Sequence, residues 1–289
     1  MKNKAVSGHL LALLSVLVWG ATYVASDYLL QFFTSMQLLT LRYSLGYLVL
    51  LAIKPRFLPV SSISQELSIL LISLFGVLLY YFLETRAIHY GGATNVSILI
   101  STVPMWTLLL LCMTTKNTMN IRHLLGFVAA IGGVVLVVYN GAAIDLSMSA
   151  SALLFSFGAC LCWAIYSMLI DRHKKVDSIL LTKRMLGYAL LFMLPLTLIF
   201  DGVPSLKPLA SLTGIGALSL LGVFGSGLCY VWWKKAIEHA GVVNATNYIY
   251  LIPFITMAVA IILGWETVSV MGLIGSVLIV VGIILSSKQ

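Results

Sequence analysis

The sequence predicts an all-α, polytopic membrane protein with ten transmembrane helices arranged as a 5+5 inverted repeat. Three observations carry that reading: poverty in charge, ten long apolar stretches, and a pattern of residues that recurs in the second half. Of 289 residues, 17 are Lys or Arg and 9 are Asp or Glu, a charged share of 9%. Soluble domains carry about 25%. Hydrophobic residues make up 61%, and the mean hydropathy is +1.06. So few charges cannot cover a chain of this length with a polar skin, which excludes a cytosolic enzyme or a secreted domain.

A helix crossing about 30 Å of hydrocarbon needs about 20 apolar residues at about 1.5 Å of rise each. Ten stretches meet that need, over 9–30, 35–53, 67–89, 93–113, 121–140, 150–170, 178–200, 210–236, 242–264 and 268–286. Runs such as Val128 to Val138 are apolar on every face, as a lipid-embedded helix should be. The alternating segments of about ten residues that mark a membrane β-barrel are absent from the sequence. Lys2 and Lys4 before the first stretch resemble the start of a signal peptide. The length of that stretch and the spans that follow it argue instead for an uncleaved first helix.

Direction follows from Lys and Arg, which favour cytoplasmic loops. With the N-terminus inside, one side collects Lys2, Lys4, Lys54, Arg56, Lys116, Arg122, Arg172, Lys174, Lys175, Lys183, Arg184, Lys234, Lys235 and Lys288. The other side holds Arg42, Arg86 and Lys207. Both termini are therefore expected in the cytoplasm. The net charge of +8 reflects topology rather than nucleic-acid binding. Cys112, Cys160, Cys162 and Cys229 all fall within spans and read as small packing residues, with no metal-site spacing.

Self-similarity is the next signal. Phe75-Gly76, Tyr81, Ala87-Ile88, Gly92, Asn95 and Pro104 match Phe224-Gly225, Tyr230, Ala236-Ile237, Gly241, Asn244 and Pro253 at one constant offset. Gly126 and Gly133 match Gly275 and Gly282 at the same offset, while Trp19 and Arg42 match Trp163 and Arg184 at slightly smaller ones. The copies are expected over 1–145 and 146–289. Five spans is an odd number, so the second copy enters the membrane from the opposite side. Inverted repeats characterise secondary transporters, with the binding site at the repeat interface near mid-membrane.

The ten spans, the A-I-x3-G-x2-N-x8-P string in each half and the Glu266-x8-Gly275-x6-Gly282 block resemble the drug/metabolite transporter superfamily, specifically the EamA-type permeases. The first half has Asn117 where the second has Glu266. The resemblance implies a cavity surrounded by helices 1, 3, 4, 6, 8 and 9. It also implies peripheral helices 5 and 10 that mediate a homodimer if the protein is not a monomer. Export of amino acids or related metabolites across a bacterial plasma membrane is the activity it implies, with organic cations such as quaternary amines or drugs as the alternative.

Candidate site residues follow from residue type and depth. Pro104 and Pro253 lie mid-span and crowd the carbonyls of Ile100 and Ile249, which reads as a hinge or a fixed packing kink. Asn95 and Asn244, with Thr102 and Tyr248 on their respective faces, are intramembrane polar groups in need of partners. Trp19, Tyr23, Tyr81, Trp163, Tyr166 and Tyr230 offer stacking or cation–π surfaces. Glu84 reads either as a proton carrier or ammonium partner or as a solvated rim carboxylate. Arg42 and Arg184 are expected to snorkel to the headgroups. No catalytic constellation, no cofactor motif and no P-loop is present, so the expected partners are a small-molecule substrate, protons and membrane lipids.

Overall fold

The computed structural model describes residues 2–60, 62–114, 120–139, 149–264 and 270–287. Helices α1 (Lys2–Leu29), α2 (Ser35–Ile53) and α3 (Ile63–Gly91) are followed by α4, which runs Ala93–Ile100 and then Val103–Thr114. Next come α5 (Ile121–Tyr139), α6 (Ala150–Asp171) and α7 (Ser178–Phe200). The last three are α8 (Leu212–Ala240), α9 (Val242–Ile262) and α10 (Val270–Ser287). Among the described residues, eight stretches are long and apolar enough to cross a membrane. No strand occurs among the described residues. The 145/146 boundary between the expected copies, and with it Asn117 and Glu266, lies outside the described residues.

The helix starts are written locally. Thr34, Ser62, Ser149 and Ser211 each accept a backbone N–H three residues on, and Asp177 accepts those of Ile179 and Leu180 at 3.0 Å. These side chains satisfy donors that a helix start leaves unpaired. At the other end, Gly92 closes α3 and Gly241 closes α8 with φ of 75° and 87°. That left-handed conformation suits glycine, and it turns the chain straight into the next helix.

Two departures from regular helix were not legible in the sequence. α3 contains a π-helical segment at Leu74–Leu79, and α8 contains one at Leu220–Leu228. A widened turn aims backbone carbonyls away from the normal ladder. Here side chains of other helices take them up. Tyr230 donates its hydroxyl to Gly76 O, Tyr43 donates to Val77 O at 2.6 Å, and the Trp19 indole donates to Gly225 O at 3.1 Å. Gly76 itself lies flush against the Tyr166 ring, where an added Cβ would fall 2.1 Å from a ring carbon.

At the two mid-span prolines, the expected kink proves to be a change of helix type. α4 breaks at Ser101–Thr102, just before Pro104, and α9 tightens into a 3-10 turn at Tyr248–Leu251, just before Pro253. At the break Leu99 O keeps a backbone donor, the Thr102 N–H at 3.0 Å. Thr102 Oγ1 also donates to this oxygen at 2.7 Å and Cys160 Sγ at 3.3 Å. This is how non-helical backbone is tolerated at membrane depth.

The main interfaces cross between the two halves. α1 packs on α8 and α9, α3 and α4 pack on α6, and α2 packs on α7 and α8. α2 and α7 run antiparallel: Thr34 donates to Asp201 at one end, Thr40 and Thr197 share a hydrogen bond of 2.7 Å one to two turns in from it, and Lys54 pairs with Asp177 at 2.8 Å at the other end. α5 and α10 pack tightly on each other. A Cβ on Gly133 would lie 2.5 Å from Gly275 O, and one on Gly282 would lie 2.6 Å from Gly126 O. These glycines are occupied in a contact within one chain.

Candidate functional site

A small cavity lies where α1, α3, α4, α6 and α9 converge. Its walls are Trp19, Thr22 and Tyr23 of α1, Tyr80, Tyr81 and Glu84 of α3, Trp163 of α6, Ile100 and Val103 at the α4 break, and Ile249 and Ile252 at the α9 turn. It measures ≈ 10 Å³, about the room needed by one water. The side chains are therefore closed in on one another, and both interrupted helices contribute residues next to their breaks to the wall.

Glu84 is the acid of this cavity and is 5% exposed. Tyr23 and Tyr80 each donate a hydroxyl to its Oε1, both at 2.7 Å. The rim-carboxylate reading does not hold. Glu84 stands one turn beyond the π segment, and its partners reach it from α1 and from its own preceding turn. A buried carboxyl is tolerated when hydrogen bonds replace its water.

Around it stands a continuous aromatic cluster. Trp163 lies 5.1 Å from Trp19, 4.6 Å from Tyr80 and 4.9 Å from Tyr166, centroid to centroid. Trp19 also meets Trp233 edge-on at 5.0 Å, and Tyr230 lies 5.8 Å from Tyr166 and 6.3 Å from Tyr81. The Trp19–Trp163, Trp19–Trp233 and Tyr166–Tyr230 pairs are edge-to-face, which is favourable by about 0.5–1.5 kcal/mol per pair beyond burial.

Behind Tyr81 sits Arg42, fully buried. Its Nε donates to Ser226 Oγ at 2.8 Å, and its guanidinium carbon stacks 4.1 Å from the Tyr81 ring centroid. Among the described residues neither Nη atom has a hydrogen-bond partner. This corrects the expectation that Arg42 reaches the headgroups. The π segment of α8 supplies the room, since a Cβ on Gly225 would already lie 3.3 Å from Arg42 Nη2. Arg184, its sequence counterpart, does not snorkel freely either. It pairs with Glu66 at 2.7 Å and donates to Leu58 O.

An EamA-like transporter family match covers residues 6–139 and, separately, residues 150–288. The chain belongs to the EamA-like transporter family. An uncharacterized transporter of Archaeoglobus fulgidus is 28% identical over 97% of both chains. The uncharacterized transporter YyaM of Bacillus subtilis is 26% identical over 93% of this chain and 89% of its own. A solved crystal structure superposes with a TM-score of 0.76 over 97% of this chain and 96% of that one at 18% identity, which establishes the likeness of fold. A transporter, not an enzyme, is what the family and these relatives point to.

In this EamA-like transporter, the structure brings Trp19, Tyr23, Tyr81, Glu84 and Trp163 to the cavity wall. Tyr166 and Tyr230 stand one layer out, in the aromatic cluster. Other expected site residues lie apart from the wall. Thr102 caps the α4 break, Asn244 turns back to Ala240 O in its own helix at 2.9 Å, and the Tyr248 hydroxyl meets His9 at 3.1 Å. The Asn95 side chain lies outside the described residues. Pro104 and Pro253 are buried just beyond the breaks that flank the cavity. Sequence reading missed Thr22, Tyr80, Ile100, Val103, Ile249 and Ile252. Tyr80 carried a usable signal, being four residues before Glu84 on the same helix face.

Proposed function

We propose that this EamA-like transporter is a secondary carrier that moves a small metabolite, an amino acid or related amphipathic compound, outward across the plasma membrane by alternating access. The observation that carries this reading is Glu84, a buried acid held by two tyrosine hydroxyls in a cavity walled by both halves of the chain. Such a group serves as a substrate-ammonium partner or a proton carrier. Trp19 and Trp163 supply the apolar faces that an amphipathic side chain packs on.

The 5+5 inverted repeat, with copies over 1–145 and 146–289, is supported by the double family match and by the antiparallel α2–α7 pair. It is supported too by π segments and helix breaks in corresponding helices of each half. Two similar halves give outward- and inward-open states of comparable energy, so a ligand need bias the exchange only slightly. The α5–α10 pair lies at the periphery in this reading, and a homodimer through it would use the outer faces that bear Val128 and Val277. Lys183 reaches the carbonyls of Lys54 and Arg56, and Lys234 reaches that of Lys174, so basic residues gather at one end. That supports an orientation with this end and both termini in the cytoplasm of a bacterial cell.

A second reading, transport of organic cations such as quaternary amines or drugs, is favoured by the same acid inside an aromatic cage. Counterflow in proteoliposomes separates the two. Purified protein is screened against amino acids, nucleosides and quaternary amines, with Glu84→Gln alongside. Counterflow of amino acids that is lost in Glu84→Gln is the expected result. Counterflow of quaternary amines alone selects the second reading, and flux indifferent to Glu84→Gln removes this acid from either.

A further inference from the structure

We propose that a second pocket, on the lipid-facing side of α2 and α7, binds the phosphodiester headgroup of an anionic phospholipid. The pocket has a volume of ≈ 220 Å³ and is bounded by Tyr47 of α2, Phe57 and Leu58 of the following loop, and Lys183, Arg184, Gly187 and Leu191 among the residues of α7. It shares no wall residue with the Glu84 cavity.

Its charge is unbalanced. Arg184 is matched by Glu66. Lys183 is 2% exposed, and its ammonium is held by the carbonyls of Lys54 and Arg56 at 2.6 and 2.5 Å, with the Phe57 ring 4.7 Å away. No carboxylate forms an ion pair with Lys183 among the described residues. A buried cation with neutral acceptors alone favours an anion in the space beside it. Phosphate oxygens, which bear charge and accept hydrogen bonds, suit an ammonium and a guanidinium together.

The source of that phosphate is a lipid rather than the aqueous phase because of what lies below the pocket. Gly187, Leu191, Leu194 and Leu198 follow one another at helical spacing on α7, and the three leucines are 66%, 46% and 48% exposed. They form an apolar strip running from the pocket into the membrane, suited to an acyl chain. Lys183 is six residues into α7, about 8 Å from its start at 1.5 Å per residue. That depth suits the headgroup layer at the end of the molecule where Lys and Arg accumulate.

The test uses the full-length protein in detergent, with bound lipid counted by native mass spectrometry. The probes are dioleoylphosphatidylglycerol, dioleoylphosphatidylcholine and chain-free glycerol 3-phosphate. Phosphatidylglycerol is expected to bind as one tight copy, at least about tenfold more strongly than phosphatidylcholine, and to resist displacement by glycerol 3-phosphate. Lys183→Gln and Gly187→Leu are each expected to reduce it to the phosphatidylcholine level. A Cβ at Gly187 meets only Tyr47, at an ordinary 3.5 Å, so a leucine there fills the pocket while Lys183 keeps its contacts to the loop. Equal binding of the two lipids, displacement by glycerol 3-phosphate, or undiminished phosphatidylglycerol binding in a folded Gly187→Leu protein would overturn the proposal.

Discussion

At the residue scale, Glu84 and Arg42 are the two side chains whose burial is hardest to explain by packing alone. Glu84 is compensated by the Tyr23 and Tyr80 hydroxyls. Replacing both tyrosines by Phe leaves the carboxyl without those donors, and a drop of about 1–3 kcal/mol per lost partner is expected in thermal unfolding. Arg42 keeps Ser226 and the Tyr81 ring. Arg42→Lys retains the charge but loses the planar fork, so it should lower Tm while Arg42→Ala lowers it further through the cavity left behind. Equal melting of Arg42→Lys and the parent chain would contradict the burial described here. The sequence made Glu84 and the tryptophans legible because charge and aromaticity stand out in an apolar chain. It hid Arg42 because a long basic side chain near a helix start reads as a headgroup anchor, and only the π segment of α8 shows where it has room to go.

At the element scale, the eight membrane-length helices among the described residues were legible from apolar length alone, and the caps at Thr34, Ser62, Ser149, Asp177 and Ser211 agree with the starts. The π segments were not, because they arise from contacts between helices rather than from any residue type. Gly76→Ala drives a methyl group into the Tyr166 ring. A loss of about 1–3 kcal/mol is expected from that overpacking, read as a lower Tm, whereas Gly132→Ala, with open space around it, should be silent. Asp177 illustrates an element end under electrostatic control. Burial pushes its carboxyl up, but hydrogen bonds from the Lys54 ammonium and from the amides of Leu180 and Ile179 outweigh this and hold it below the usual carboxylate range. Its contribution is therefore present above about pH 4 and disappears as pH falls through the lowered value. Asp177→Asn keeps the cap and removes the charge. The acid-side fall in Tm should flatten slightly in that variant, by an amount that added salt diminishes.

At the scale of the whole molecule, the interrupted helices α4 and α9 both border the Glu84 cavity, and the largest inter-helix contacts join one half to the other. If the breaks are the moving parts, Pro104→Ala and Pro253→Ala should slow flux by more than about tenfold while folded yield and Tm hold or rise. Parallel losses of flux and yield would make the prolines packing residues. The family resemblance was legible over nearly the whole chain because its signature lies at helix junctions such as Gly92 and Gly241, where backbone geometry dictates the residue. Which polar side chains meet in the centre was less legible. Asn244 could have faced the cavity on spacing alone, yet it satisfies itself at Ala240 O one turn back.

The most direct test is accessibility of the central cavity from the two sides of the membrane. Single cysteines at Val103 and Ile249, placed in a chain whose four native cysteines are replaced, are exposed in oriented proteoliposomes to a membrane-impermeant thiol reagent. Each is expected to be labelled from either side in turn, with transported substrate slowing the labelling. Labelling from one side only, whatever the substrate, would contradict it.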